Sequence, residues 1–291
     1  APARQRDFCE EGCRVMSGSS ESEKPGQFAI SDLLRIMERL RDPSDGCPWD
    51  TKQTFTSVIS HTLEECYELV DAIEQGDLPH VAEELGDVLF QVVFYSELGR
   101  ELDAFDFHAV VHGIACKLLR RHPHVFADGV IEGRVLEPVT TEEVKANWEA
   151  IKREERREGK ASGSLSDVPK ALPALSRAQK LQKKAATVGF DWQSLEGVLA
   201  KLEEEMSEFQ QAVGDNSDEA MAEELGDLIF TAVNAARHLG FDAENLLRHA
   251  NEKFESRFND MEAAAVKDGS SLSNESSVQM EARWQSAKSR Q

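Results

Sequence analysis

Basic side chains are scarce in this chain. Lys and Arg number 33 against 54 Asp and Glu, giving a formal net charge of −21 over 291 residues. So acidic a surface repels a nucleic-acid backbone or an anionic membrane unless metal ions intervene, which excludes duplex nucleic acid as an expected partner. Long apolar runs are also missing. None approaches the roughly 20 residues of a membrane span, and the first residues lack the charged, apolar and small-residue order of a signal peptide, so the cytoplasm is the expected compartment. Cysteine is sparse: Cys9, Cys13, Cys47, Cys66 and Cys116 form no Cys-x-x-Cys pair, and their odd count argues against a disulfide framework. They read as reduced thiols. Cys9 and Cys13 fall in a polar leader, residues 1–26, whose Ser, Glu and Gly content predicts disorder. Alternating strand patterns are absent, and the amphipathic periodicity that remains predicts an all-α chain.

The strongest positive signal is repetition. Glu64-Glu65-x-x-Glu68 recurs as Glu204-Glu205-x-x-Glu208, and Ala82-Glu83-Glu84-Leu85-Gly86-Asp87 recurs unchanged as Ala222-Glu223-Glu224-Leu225-Gly226-Asp227, all at an offset of 140. The distance between clusters is kept as well as the clusters. This predicts two tandem domains of one fold, at 27–153 and 173–291. The linker, 154–172, is charged, then rich in Gly and Ser, then broken by Pro169.

On the first acid-bearing helix, Leu63, Cys66, Tyr67, Val70 and Ile73 share one side and Glu64, Glu65, Glu68 and Asp71 the other, which alone reads as a solvated acidic stripe. The second helix reads differently. At about 100° per residue, Glu83, Asp87, Phe90 and Phe94 follow one line, so the acids head a stripe that two phenylalanines carry into a core. The run from Val88 to Phe94 is apolar nearly all round and is expected to be buried. Carboxylates at the edge of an interior repel one another and lose hydration unless a cation compensates. Hard oxygen ligands without His or Cys suit Mg²⁺, with Mn²⁺ as the alternative, and Mg²⁺ commonly also takes water and substrate phosphates. A di-iron carboxylate bundle would need Glu-x-x-His repeats, and no Glu here is followed by His three residues later. An acidic interaction protein that binds metal and nucleotide without turnover is the other rival.

At these residues the sequence resembles the MazG-like all-α nucleoside triphosphate pyrophosphohydrolases, relatives of the dimeric dUTPases and phosphoribosyl-ATP pyrophosphohydrolases. Cys47-Pro48-Trp49-Asp50-x-x-Gln53-Thr54, Arg120-Arg121-His122-Pro123-His124-Val125-Phe126, Asn147-Trp148-Glu149-x-Ile151-Lys152, Arg177-Ala178-Gln179-Lys180-Leu181-Gln182 and Val188-Gly189-Phe190-Asp191-Trp192 all look like the two-domain members. The similarity runs from about residue 30 to 290.

The resemblance implies tandem four-helix-type modules completed by intertwined homodimerisation. It also implies hydrolysis of nucleoside triphosphates between the α and β phosphates. Glu65, Glu68, Glu84 and Asp87 in the first half, and Glu205, Glu208, Glu224 and Asp227 in the second, are the expected Mg²⁺ ligands. Glu204 and Glu64 are the spare carboxylates expected to orient or deprotonate water. Lys201, Lys253 and Arg257 are expected on the phosphates, with Glu224 also at the substrate and Trp284 near the nucleobase. Lys117, Arg120 and Arg121 are the first-half counterparts, and His122-Pro123-His124 is expected to end a helix. The Ser-rich stretch Lys267 to Val278 departs from the family pattern, and no Trp284-like tail directly follows the first half, where Trp148 is the substitute. The second half is therefore expected to be the working site.

Overall fold

The apolar periodicities of the two repeats become helices in the structure, a computed structural model that describes residues 28–134, 140–144, 147–148, 151, 163 and 165–289. The polar leader with Cys9 and Cys13, most of the linker, and Glu149 and Lys152 of the tryptophan motif lie outside the described residues. Among the described residues there is no β-strand and no helix long and apolar enough to cross a membrane. The chain divides into two compact units at residue 155.

The first unit contains α1 (Ile30–Leu40), α2 (Ile59–Gln75), α3 (Leu78–Glu101) and α4 (Phe107–Arg121). Helices α2 and α3 form an antiparallel hairpin turned by Gly76, whose φ of 72° suits a residue without a Cβ. Asp77 then caps α3 by accepting a hydrogen bond from the His80 amide at 3.2 Å. Helices α1 and α4 pack on α3. Met37, Val58, Val93, Phe94 and Leu98 form the core, with Leu34, Phe55, Phe90, Tyr95 and Phe107 against it.

Arg41 fastens the connection between α1 and α2. Its guanidinium grips both oxygens of the Glu101 carboxylate at 2.6 and 2.7 Å, donates to the Asp50 carbonyl, and lies 5.2 Å from the Phe94 ring centre. At Gly46 a Cβ would come within 2.5 Å of the Asp42 carbonyl oxygen, so the tight return of this loop requires glycine. Helix α4 ends at Arg121, with His122 at its C-cap and Pro123 next, as the motif predicts.

The second unit repeats the plan with α5 (Ala174–Ala186), α6 (Leu195–Gly214), α7 (Asp218–His238) and α8 (Ala243–Lys267), then adds α9 (Ser277–Lys288). The α6–α7 hairpin is the counterpart of α2–α3, α5 packs on α7 and α8, and α9 lies along α8. The Ser-rich stretch makes the turn: a short 3₁₀ segment at Leu272–Asn274 leads to Ser276, which caps α9 through a reciprocal bond pair with Gln279. Asp106 and Asp242 cap α4 and α8 by a single side-chain bond each, accepting from the amides of Ala109 and Asn245. Aligning these caps puts Lys117 on Lys253 and Arg121 on Arg257, a third repeated pair that follows an offset of 136 rather than 140.

Two expectations are overturned. Leu63, Tyr67 and Ile73 are 50%, 54% and 56% exposed, so the apolar side of α2 is not its packed side within one chain. The inward stripe is instead Val58, Thr62, Glu65, Leu69 and Ala72, with Val198, Leu202, Glu205, Phe209 and Ala212 as its counterpart on α6. The reason is tertiary: α3 takes the small residue Ala72, and the seam it makes with α2 includes the Glu65 row. Likewise the run from Val88 to Phe94 is only partly buried, since Leu89 is 40% and Val92 38% exposed.

Candidate active site

Glu65 and Glu84 enter the α2–α3 seam from opposite helices, one stripe position each. Glu84 is 8% exposed and Glu65 half-buried, whereas in the second unit the buried acid is Glu205, the counterpart of Glu65, at 5%, and Glu224, the counterpart of Glu84, is half-buried. Carboxylate oxygens of Glu65, Glu84 and Asp87 come within 4.8 Å of one another in the first unit, and those of Glu205, Glu208 and Glu224 do so in the second. Each triad draws on both helices of its hairpin, so a 3.6-residue repeat on either helix alone cannot build it.

The fourth acid of each set stands at the edge. Glu68 is exposed and adds its charge to the surroundings of Glu65; Asp227 is exposed and does the same for Glu224. Glu64 is exposed and 3.6 Å from His61, while Glu204 is exposed and bonded to Lys201 at 2.8 Å.

Burial pushes the Glu65 carboxyl above its ordinary value, and the charges of Asp87, Glu68 and Glu84 push it the same way. Desolvation and the charges of Glu208, Glu205, Glu223 and Asp227 do the same to Glu224. These acids are thus held where their ionised forms are disfavoured, and a divalent cation would relieve both causes. The donor set near each triad is dominated by oxygen, which fits Mg²⁺ or Mn²⁺.

The basic groups next to the buried acids differ between units. Lys201 bonds to both Glu204 and Glu205 at 2.8 Å, and these two acids raise its pKa well above the usual lysine value. In the first unit His80 Nε2 lies 2.9 Å from Glu84 Oε1. The sequence reading, which took the clusters as free of histidine, missed His80. The His-x-x-x-Glu spacing on one helix, set against Ala220 at the repeated position, was the available signal.

The remaining residues expected at the site gather on α8 and α9. The Arg257 guanidinium carbon lies 5.9 Å from the Trp284 ring centre, and Phe254 packs on the same ring at 5.4 Å. Lys253 is one turn before Arg257 on exposed helix surface. These side chains are held by the α8–α9 contact, whereas the acids are held by the α6–α7 seam. In the first unit the Trp148 ring is 6.1 Å from that of His122, just past the Lys117 and Arg121 pair, and the His122 ring nitrogen Nδ1 bonds to the Leu118 carbonyl at 2.7 Å.

A helical chain that builds one acid-bearing hairpin twice, with a carboxylate triad in each seam, defines a class of tandem all-α carboxylate proteins. The MazG nucleotide pyrophosphohydrolase domain matches residues 53–126 and 193–261, ranges that hold both triads. Over 263 residues the chain is 48% identical to a nucleoside triphosphate pyrophosphohydrolase of Escherichia coli (strain K12), covering 89% of this chain and 97% of that protein. It is 40% identical over 265 residues to the nucleoside triphosphate pyrophosphohydrolase/pyrophosphatase MazG of Thermotoga maritima, covering 91% and 98%. The chain belongs to the MazG family of nucleotide pyrophosphohydrolases.

Proposed function

We propose that this chain, a nucleotide pyrophosphohydrolase by family, cleaves nucleoside triphosphates between the α and β phosphates to give a nucleoside monophosphate and pyrophosphate, with the second unit as the working site. The observation that carries the reading is the triad of Glu205, Glu208 and Glu224, three acids within 4.8 Å across a helix seam. Glu205, Glu208, Glu224 and Asp227 would hold Mg²⁺, or Mn²⁺, as Glu65, Glu68, Glu84 and Asp87 would in the first unit. When bound, the cation supplies charge neutralisation on the phosphate oxygens and polarises the α-phosphorus.

The chain's own groups supply the rest. Glu204, exposed beside the triad, orients a water and accepts its proton. Lys201 passes from its two glutamate partners to the phosphates, joined by Lys253 and Arg257, while Trp284 offers a face to the nucleobase. An acidic interaction protein without turnover is the weaker reading, because it leaves the duplicated seam acids, each unfavourable in isolation, without a use.

A homodimer belongs to the same reading. Leu63, Tyr67, Leu85 and Leu89 in the first unit and Met206, Val213, Leu225 and Ile229 in the second are each at least 40% exposed. Covering the exposed half of such a side chain gains roughly 1 kcal/mol apiece, about half the value for complete burial, and a second copy offers the matching face.

Chromatography of the products made with Mg²⁺ tests the reaction. Monophosphate and pyrophosphate are expected as the first products; nucleoside diphosphate and orthophosphate would overturn α,β cleavage.

A further inference from the structure

The two seams are not equivalent in their ligand chemistry. In the second unit the buried Glu205 is met by Lys201, an ammonium that has no lone pair to offer a metal. In the first unit the buried Glu84 is met by the His80 imidazole, Nε2 to Oε1 at 2.9 Å, four residues earlier on the same helix. The repeated position of His80 is Ala220, and that of Lys201 is His61. His61 does not replace His80: its Nδ1 faces the exposed Glu64 at 3.6 Å, and its ring packs against Trp49.

Side chains four residues apart lie on one helix face, the spacing at which two helical groups grip one ion. His80 and Glu84 have this spacing; the carboxylates of Glu84, Asp87 and Glu65 converge within 4.8 Å, and His80 Nε2, outside that converged set, reaches it through Glu84 at 2.9 Å. Oxygen-only sets suit Mg²⁺, which holds octahedral oxygen ligands and retains water. Adding an imidazole shifts preference towards borderline ions, for which nitrogen ligands are favourable.

Resting on the metal reading above, we infer that the first unit holds a site distinct in selectivity from the second, in which His80 Nε2 turns in to join Glu65, Glu84 and Asp87 around a borderline divalent ion of the Co²⁺ or Zn²⁺ class. The second unit, lacking any imidazole at that position, takes Mg²⁺. His80 exchanges its hydrogen bond to Glu84 for the metal, while the carboxylate remains a ligand. The two halves of the chain thus respond to different cations.

The test uses the full chain, stripped of metal, carrying Glu205→Gln and Glu224→Gln so that Mn²⁺, used as a paramagnetic probe, fills the first unit. Pulsed electron paramagnetic resonance should show ¹⁴N coupling from a directly bound imidazole. Adding His80→Gln should abolish that coupling and weaken Mn²⁺ binding, measured calorimetrically, by about 10- to 100-fold. In a chain with an otherwise intact second unit and His80→Gln, Ala220→His should bring ¹⁴N coupling to the second site. Circular dichroism must match the parent for each variant; His80→Asn provides a second replacement if Gln perturbs the helix. Bound Mn²⁺ without nitrogen coupling, or coupling that survives His80→Gln, overturns the inference while leaving the pyrophosphohydrolase reading to the product assay with Mg²⁺. Failure of both units to bind Mn²⁺ and Mg²⁺ overturns both.

Discussion

Lys201 Nζ lies 2.8 Å from Glu205 Oε1 at the inner edge of the α6–α7 seam, where Glu205 is almost wholly withdrawn from water. The pair joins a cation suited to phosphate and an acid suited to metal within one helical turn. Its counterpart in the first unit, His61 and Glu65, does not form: His61 turns to Glu64.

That asymmetry predicts which acids matter most for turnover. Glu205→Gln or Asp227→Asn keeps the side-chain size but removes a negative ligand, and losses of about 10²-fold or more in kcat are expected. Glu65→Gln and Asp87→Asn should cost far less. Steady-state rates compared at equal circular dichroism and equal native mass check this, and dead first-half variants with active second-half ones would reverse the assignment.

Raised carboxyl pKa values give a prediction with a definite sign. Glu65 and Glu224 both titrate above the ordinary value of 4.5 in the folded chain, so the folded state favours their protonated forms. Their favourable contribution is complete below that value and is lost as pH rises through the raised ones. Without metal, Glu65→Gln or Glu224→Gln should therefore raise Tm at neutral pH and leave it nearly unchanged near pH ~4. Mg²⁺ should raise the Tm of the parent more than that of either variant.

Trp284 and Arg257 can be separated by conservative replacement. If the ring serves the nucleobase, Trp284→Ala should raise KM by about tenfold, the scale of roughly 1–3 kcal/mol for a base stacked on an aromatic ring, while Trp284→Phe retains much of the affinity. Arg257→Ala should lower kcat/KM as well, through lost phosphate charge. A Trp284→Ala effect confined to Tm would reduce that side chain to a packing role for α8 and α9.

Arg41 sets the stability of the first unit's loop. Arg41→Met leaves the Glu101 carboxylate and the Asp50 carbonyl without their shared donor, and a loss of about 3 kcal/mol is expected, towards the low end for a broken buried pair because Glu101 is partly wet. Urea unfolding monitored by circular dichroism measures it.

The sequence by itself determined the all-helical class, the duplication and the family, because helix periodicity and exact motif spacing are local properties of the chain. It also singled out the eight seam and rim acids from Glu65 to Asp227, since their spacing repeats at 140. Which of them converge was decided by tertiary structure. Glu65 and Glu84 meet only because the Gly76 turn and the Val58 to Ala72 stripe set the register of two helices, so the apolar side of α2 at Leu63 and Tyr67, dominant in the sequence, is left outward within one chain. His80 carried only a weak signal for the same reason: a histidine one turn from a glutamate on one helix is ordinary, and it is the packing that buries Glu84 that sets this pair apart.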